Sequence, residues 1–438
     1  MPLVFPEPVR VDYVRGDATS LTIPAHADAL RAAGAEFLND AFRAYGSLAA
    51  DNRIERIAHI EPCLAGSTGQ KIFLSVEYAR PSRDLATDLF VKFSRDFTNA
   101  FRDRRRSELG PEIRLGELSR LPGFPISVPK AYFGDFQHES GTGLLITERI
   151  AFGRNGIEPL HPKCMDHELV RPLDYYRTIV SALARLAAAH KSGLLSPQVD
   201  ELFPFDPAAA AADDPIPWTE EELRALVARY AAFAAGCPQL LPSHLTTAAF
   251  IAQLERDAVS VLRHERSIKR YMHADRDYIA LSHFNTNIDN AWFWRDASGL
   301  LQCGLFDWQR ARQMNVGYAL WGGLCGAGLD IWDKHLEELL ALFADELEAH
   351  GGPRLDVAQL RLHLHLYGIT MGIAGLIEAP RLVLAALPQA AQASGPLDPV
   401  FTKSEAARSF LHIFTSFLNL WQFRGLGSSL DRVLARLT

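Results

Sequence analysis

Residues 278–310 read YIALSHFNTNIDNAWFWRDASGLLQCGLFDWQR, and this stretch decides the fold. It opens on a short apolar run, 278–281, then turns polar through His283, Asn285, Asn287, Asp289 and Asn290. A β-type run follows at 291–294. Asp296, Ala297, Ser298 and Gly299 then supply turn chemistry, and a second apolar run, 300–306, leads into Asp307. A polar loop thus precedes a hairpin, and a carboxylate stands directly after it. Such an order can carry an amide, a carboxylate and a second polar side chain to one place.

In this layout the stretch resembles the catalytic core of the protein-kinase-like small-molecule phosphotransferases. These are the aminoglycoside phosphotransferases and, more closely, the choline-kinase-like and ecdysteroid-kinase-like branch. The family's loop reads His-x-Asp, four variable residues, then Asn; after a hairpin comes Asp followed by an aromatic. His283, Asn290, Asp307 and Trp308 take the matching positions, and Asn285 stands where the family carries its catalytic Asp. The closer branch is indicated by the spacing of Asn287 and Asn290, the aromatic after them, and Asp307-Trp308-Gln309.

The resemblance implies an α+β, bilobal protein-kinase-like fold. Its N-terminal lobe would hold an antiparallel sheet of about five strands plus a helix, and its larger C-terminal lobe would be mostly helical. The implied domains are an N-terminal arm and helix at 1–50, a nucleotide-binding lobe at 51–150, and a helical lobe at 151–438 with the catalytic loop and the substrate pocket. ATP and Mg²⁺ are the implied cofactors, and the acceptor is a hydroxyl of a small molecule. The alternative is a kinase-shaped protein that holds nucleotide or ligand and transfers nothing.

Composition is compatible with this. A chain of 438 residues exceeds one compact core. Hydrophobic residues at 48% and charged residues at 22% are ordinary for a globular protein. The net charge of -7 argues against nucleic acid as a partner, and the basic cluster Arg102, Arg104, Arg105 and Arg106 is interrupted by Asp103, as on a solvated helix start. The five cysteines make no CxxC pair and no Cys/His metal spacing, which fits a reducing compartment. The N-terminal residues lack an apolar run of signal-peptide length, and the longest apolar stretch, 368–387, contains Glu378, Pro380 and Arg381, so it does not read as a membrane span. A cytoplasmic protein without a membrane partner is expected.

From the N-terminus, an irregular arm precedes a helix with Leu30, Ala33, Phe37, Leu38 and Phe42 at helical spacing. A strand at 57–60 and the alternation Ile72, Leu74, Val76, Tyr78 flank Gly66-Ser67-Thr68-Gly69. A glycine pair between strands lets the backbone approach nucleotide phosphates closely, though the same residues also suit a plain hairpin turn. In the next strand Leu89, Val91 and Phe93 share one face, and Phe90 and Lys92 the other. Lys92 matches the family's phosphate-pairing lysine; the plainer reading is an edge-strand charge. Glu112 matches its helix glutamate, with Glu108 and Glu117 as competitors. Two more strands, 128–133 and 143–148, end at a hinge where the backbone of Glu148 and Ile150 would meet an adenine ring.

Farther on, Ile179, Leu183, Leu186 and His190 mark a strong helix, with Asp174 as a candidate N-cap and Gly193 as the C′ residue. Residues 200–220 read as a surface loop, helices resume over roughly 219–235 and 246–270, and everything beyond Asp307 reads as helical.

The chemistry follows from residue type. Asn290 and Asp307 offer the oxygen ligands that Mg²⁺ prefers, Lys92 neutralises phosphate charge, and His283 braces the loop. Asn285 cannot accept a proton near neutral pH, although its oxygen can still take a hydrogen bond. Asp289 and Asp275 are the nearest substitute carboxylates, and both suit loop surface or cap positions better. His273, Asp275 and His283 match no standard metal-ligand spacing.

Overall fold

The computed structural model describes residues 10–195 and 197–437; the first nine residues of the N-terminal arm lie outside it. The chain divides into two compact units, one of residues 1–155 and 304–311, the other of residues 156–303 and 312–438. The fold is α+β, as expected.

In the first unit the described part of the arm, from residue 10 on, is not irregular. β1 (Tyr13–Arg15) and β2 (Thr22–Pro24) pair antiparallel, and α1 (Ala27–Ala44) follows. Five strands then form one antiparallel sheet: β3 (Ile54–Pro62), β4 (Lys71–Tyr78), β5 (Asp88–Phe93), β6 (Ala131–Gln137) and β7 (Thr142–Glu148), in the order β3-β4-β5-β7-β6. The strand expected at 128–133 begins later, at Ala131. A short helix α2 (Ala100–Asp103) and α3 (Leu109–Leu118) are inserted after β5.

Period-two alternation assigns the two faces of this sheet. Leu89, Val91 and Phe93 join Leu74, Val76 and Ile146 in a core with Leu30, Phe37, Leu38 and Phe42 of α1. On the opposite face Leu145, the direct cross-strand partner of Lys92, packs with Leu109, Ile113 and Phe136. So α3 lies over the face that carries Lys92.

The second unit is built on α4 (Pro172–Lys191), α5 (Gln198–Leu202), α6 (Pro207–Ala212), α7 (Glu220–Gly236) and α8 (Ala248–Ala274). After these come β8 (Ile279–Ser282), β9 (Ala291–Arg295), β10 (Leu301–Leu305) and β11 (Arg312–Asn315), then α9 (Val316–Leu324), α10 (Leu329–Ala349), α11 (Val357–Met371), α12 (Ala379–Ala386), α13 (Glu405–Phe423) and α14 (Leu426–Leu437). Ile179, Leu183, Leu186 and His190 are all buried on α4, and Leu336, Leu339, Leu340, Phe343 and Leu347 on α10.

Three further expectations need correction. The chain beyond Asp307 is not wholly helical, because β11 pairs antiparallel with β8. Asp174 does not cap α4. Pro172 opens that helix, its fixed φ and missing N–H suiting the first turn, and Arg171 is the cap residue without a side-chain bond. The stretch 200–220 is not a plain loop, since Asp206 accepts from Ala208 N–H and starts α6 at Pro207. Among the described residues no single helix is long and apolar enough to cross a membrane; the apolar stretch over α11 and α12 is bent by 49°.

Candidate functional site

Lys92 is the centre of the first unit's polar cluster. It is only 6% exposed, and its Nζ donates to both Glu112 oxygens, at 2.8 and 2.9 Å, and to Asp307 Oδ1 at 2.7 Å. Of the three competing glutamates, Glu112 makes the pair. It sits in the first turn of α3, on the side that faces the sheet, whereas Glu117 is exposed and Glu108 is the helix's cap residue. Burial works against the charged lysine, but the fields of Asp307 and Glu112 overcome it and hold the ammonium well above its ordinary range. Burial pushes the Glu112 carboxyl up, with Lys92 opposing.

Asp307 reaches Lys92 because residues 304–311 are part of the first unit: Gly304 pairs with Ser127, and Leu305 N–H donates to Ser127 O at 2.9 Å. The residue itself has φ +67°, a left-handed conformation that costs a non-glycine residue about 1 kcal/mol. Trp308 locks the turn from behind, its indole N–H donating to Leu305 O at 2.9 Å. It is buried and structural.

The loop Gly66-Ser67-Thr68-Gly69 connects β3 to β4 and is held by cations from outside it. Arg102 donates to Leu64 O and Gly66 O, each at 2.9 Å, and Lys71 Nζ donates to Thr68 O at 2.5 Å. Gly69 has φ +51°, and a Cβ there would stand 1.8 Å from Phe93 O. Backbone cannot yield as a side-chain tip can. We therefore expect Gly69→Ala to cost at least about 2 kcal/mol, measured by denaturant titration, and to weaken any ligand held by the loop.

At the end of β7, Glu148 N–H is spent on Lys130 O and Arg149 N–H on Asp88 O. Glu148 Oε1 accepts from Lys130 N–H at 2.9 Å, so its carboxylate is committed to the sheet as well. Arg149 stacks over Phe73, 3.7 Å from the ring centroid.

In the second unit the polar loop is a lattice of short bonds. Asn285 N–H donates to His283 Nδ1 at 2.9 Å, so the histidine braces the loop. Asn287 Nδ2 donates to Asn285 Oδ1 at 2.5 Å, and Asn290 Nδ2 donates to Asn285 O at 2.7 Å. Asn287 Oδ1 in turn accepts from Gly326 N–H at 2.9 Å. Helix α9 comes so close that a Cβ on Gly322 would stand 1.8 Å from Phe284 O. The nearby carboxylates have other partners: Asp289 lies 3.8 Å from Lys163, and Asp275 accepts from Asp277 N–H at 3.0 Å. His190 accepts from Leu281 N–H at 3.1 Å and supports β8.

Two roles were not read from the sequence. Asn287, noted there only for its spacing to Asn290, fixes the Asn285 side chain. Lys71 is 6% exposed and directly opposite Lys92 in the β4–β5 register. Burial and the Lys92 charge push its ammonium down to about 8, against the pull of Asp307.

No family model matches the sequence, and no curated protein matches it. Several solved structures are similar in chain trace. A choline kinase from Cryptosporidium parvum is 15% identical, with 86% of this chain and 93% of that one covered and a TM-score of 0.40. An ethanolamine kinase from Plasmodium vivax is 13% identical over 84% of this chain and 83% of that one, with a TM-score of 0.39. An aminoglycoside phosphotransferase from Streptomyces rimosus, solved with ADP and streptomycin, is 17% identical over 71% of this chain and 92% of that one, with a TM-score of 0.34.

Proposed function

We propose that this chain is a phosphotransferase of the protein-kinase-like small-molecule type, using ATP and Mg²⁺ to phosphorylate a hydroxyl of a small molecule. The observation that carries the reading is the buried Lys92, bonded at once to Glu112 and Asp307. A buried ammonium with two carboxylates is costly to build as mere scaffolding, and clusters of this kind concentrate at functional sites.

In this reading Gly66, Ser67, Thr68 and Gly69 cover the phosphates, and Lys92, aligned by Glu112, neutralises their charge. Glu148 C=O and Ile150 N–H are the backbone groups assigned to the purine. Asp307 and Asn290 are assigned to Mg²⁺, and their chemistry fits: one is a carboxylate, and the other has its Nδ2 committed to Asn285 O, so that its Oδ1 is the atom left for a cation. When bound, Mg²⁺ would offset charge on the transferring phosphoryl group. Asn285 would accept a hydrogen bond from the acceptor hydroxyl or orient it without removing its proton.

A second reading is favoured by one specific feature. Asn285 Oδ1 already receives the Asn287 amide, and an amide supplies no base, so the chain could hold nucleotide and transfer nothing. Both readings require nucleotide binding. Calorimetric titration of the intact chain with Mg-ATP should give saturable binding that weakens at least about tenfold in Asp307→Asn, since a charge-assisted contact is lost. A chain that binds no nucleotide with or without Mg²⁺ defeats both.

A further inference from the structure

Lysines do not ordinarily face each other across adjacent strands inside a protein. Like charges directly opposite in an antiparallel pair repel, and burying an ammonium away from water costs several kcal/mol unless anions surround it. Yet Lys71 of β4 and Lys92 of β5 are direct cross-strand partners, each 6% exposed. Arg102, whose guanidinium holds the loop carbonyls of Leu64 and Gly66, adds a third cation nearby. The anions bearing on this group are Glu112 and Asp307, both bonded to Lys92, and Asp96, 3.8 Å from Arg102. Lys71 Nζ itself donates to a neutral oxygen, Thr68 O.

Each of these three carboxylates is paired with Lys92 or Arg102. If Mg²⁺ engages Asp307, as the proposed function has it, that carboxylate's charge is shared with the metal as well. Lys71 also sits at the loop expected to close over phosphates: a Cβ on Gly66 would come within 2.8 Å of its Nζ. One of its three donors is used on Thr68, which leaves two for a ligand.

We propose that Lys71 is a second phosphate-binding lysine, paired with Lys92 to hold the outer phosphates of a nucleoside di- or triphosphate beneath the glycine loop. The proposal rests on the nucleotide-binding reading above and goes further by naming the cation and the phosphates it takes. The plain alternative is structural, with Lys71 tethering the loop through Thr68 O.

The two part company in Lys71→Met, which keeps the aliphatic stem and removes the charge. Binding of Mg-ATP, Mg-ADP and AMP to the intact variant and to wild type would be compared by calorimetry, alongside the melting temperature of each without ligand. Loss of a charge-assisted contact should weaken ADP and ATP by about 10- to 100-fold and AMP by less than about threefold, and the unliganded variant should melt no lower than wild type, because a buried repulsion has gone. A uniform loss across all three nucleotides with a lowered melting temperature assigns Lys71 to the scaffold and overturns the proposal. Unchanged ATP affinity in the variant overturns it too, while leaving the nucleotide reading intact. Failure of wild type to bind any of the three overturns both.

Discussion

Replacing Asn285 by aspartate should raise phosphotransfer turnover by about 10²- to 10⁴-fold, the usual worth of a positioned general base. The local structure is ready for that change. Asn285 Oδ1 accepts from Asn287 Nδ2, and a carboxylate oxygen can accept the same bond. The frame around it depends on other atoms: Asn287 is fixed by Gly326 N–H, His283 receives the Asn285 backbone, and α9 packs against Phe284 O through Gly322. An aspartate stabilised by a donated amide hydrogen bond would stay ionised at neutral pH. Since the acceptor alcohol is unidentified, turnover is read as Mg-ATP hydrolysis with water as acceptor, in steady state at saturating nucleotide. A variant that binds Mg-ATP as tightly as wild type and hydrolyses it no faster would show that the loop supports no transfer, and the nucleotide-holding reading would stand in its place.

What could be read from sequence divides along a physical line. Lys92 and its strand were legible because apolar alternation fixes which side chains share a face, and a lone lysine in such a run stands out. Glu112 was legible only to within three candidates; which one pairs depends on how α3 lies on the sheet. β11 was hidden because Arg312, Gln313, Met314 and Asn315 show no strand pattern of their own, and their pairing with β8 creates the strand. Helix α6 was missed although its start signals, Asp206 followed by Pro207, are local; the surrounding Pro, Ala and Asp suggested a loop instead. Lys71 could not have been singled out, because its burial follows from the β4–β5 register and from the loop that folds back over it.

The ion triad makes its own prediction, independent of any ligand. Lys92→Met leaves Glu112 buried without its cation, and breaking a buried pair from one side costs about 3–5 kcal/mol. The loss should appear at neutral pH in denaturant titration and as faster hydrogen exchange in α3 and β5. Its pH dependence has a definite sign. Burial already raises the Glu112 carboxyl above its ordinary 4.5 in the folded chain, with Lys92 holding it back; without the lysine it rises further. Between 4.5 and that raised value the folded state holds a proton that the unfolded state has released, so the variant's stability falls as pH climbs through this window. At pH 5 the penalty should therefore be smaller than at pH 7.5. Adding Glu112→Gln to Lys92→Met removes the stranded charge and should recover at least about half of the loss at pH 7.5, with little gain at pH 5. Should Lys92→Met prove as stable as wild type at both pH values, the carboxylate was never dependent on the lysine. The charge arrangement from which the nucleotide site was argued would then lose its foundation.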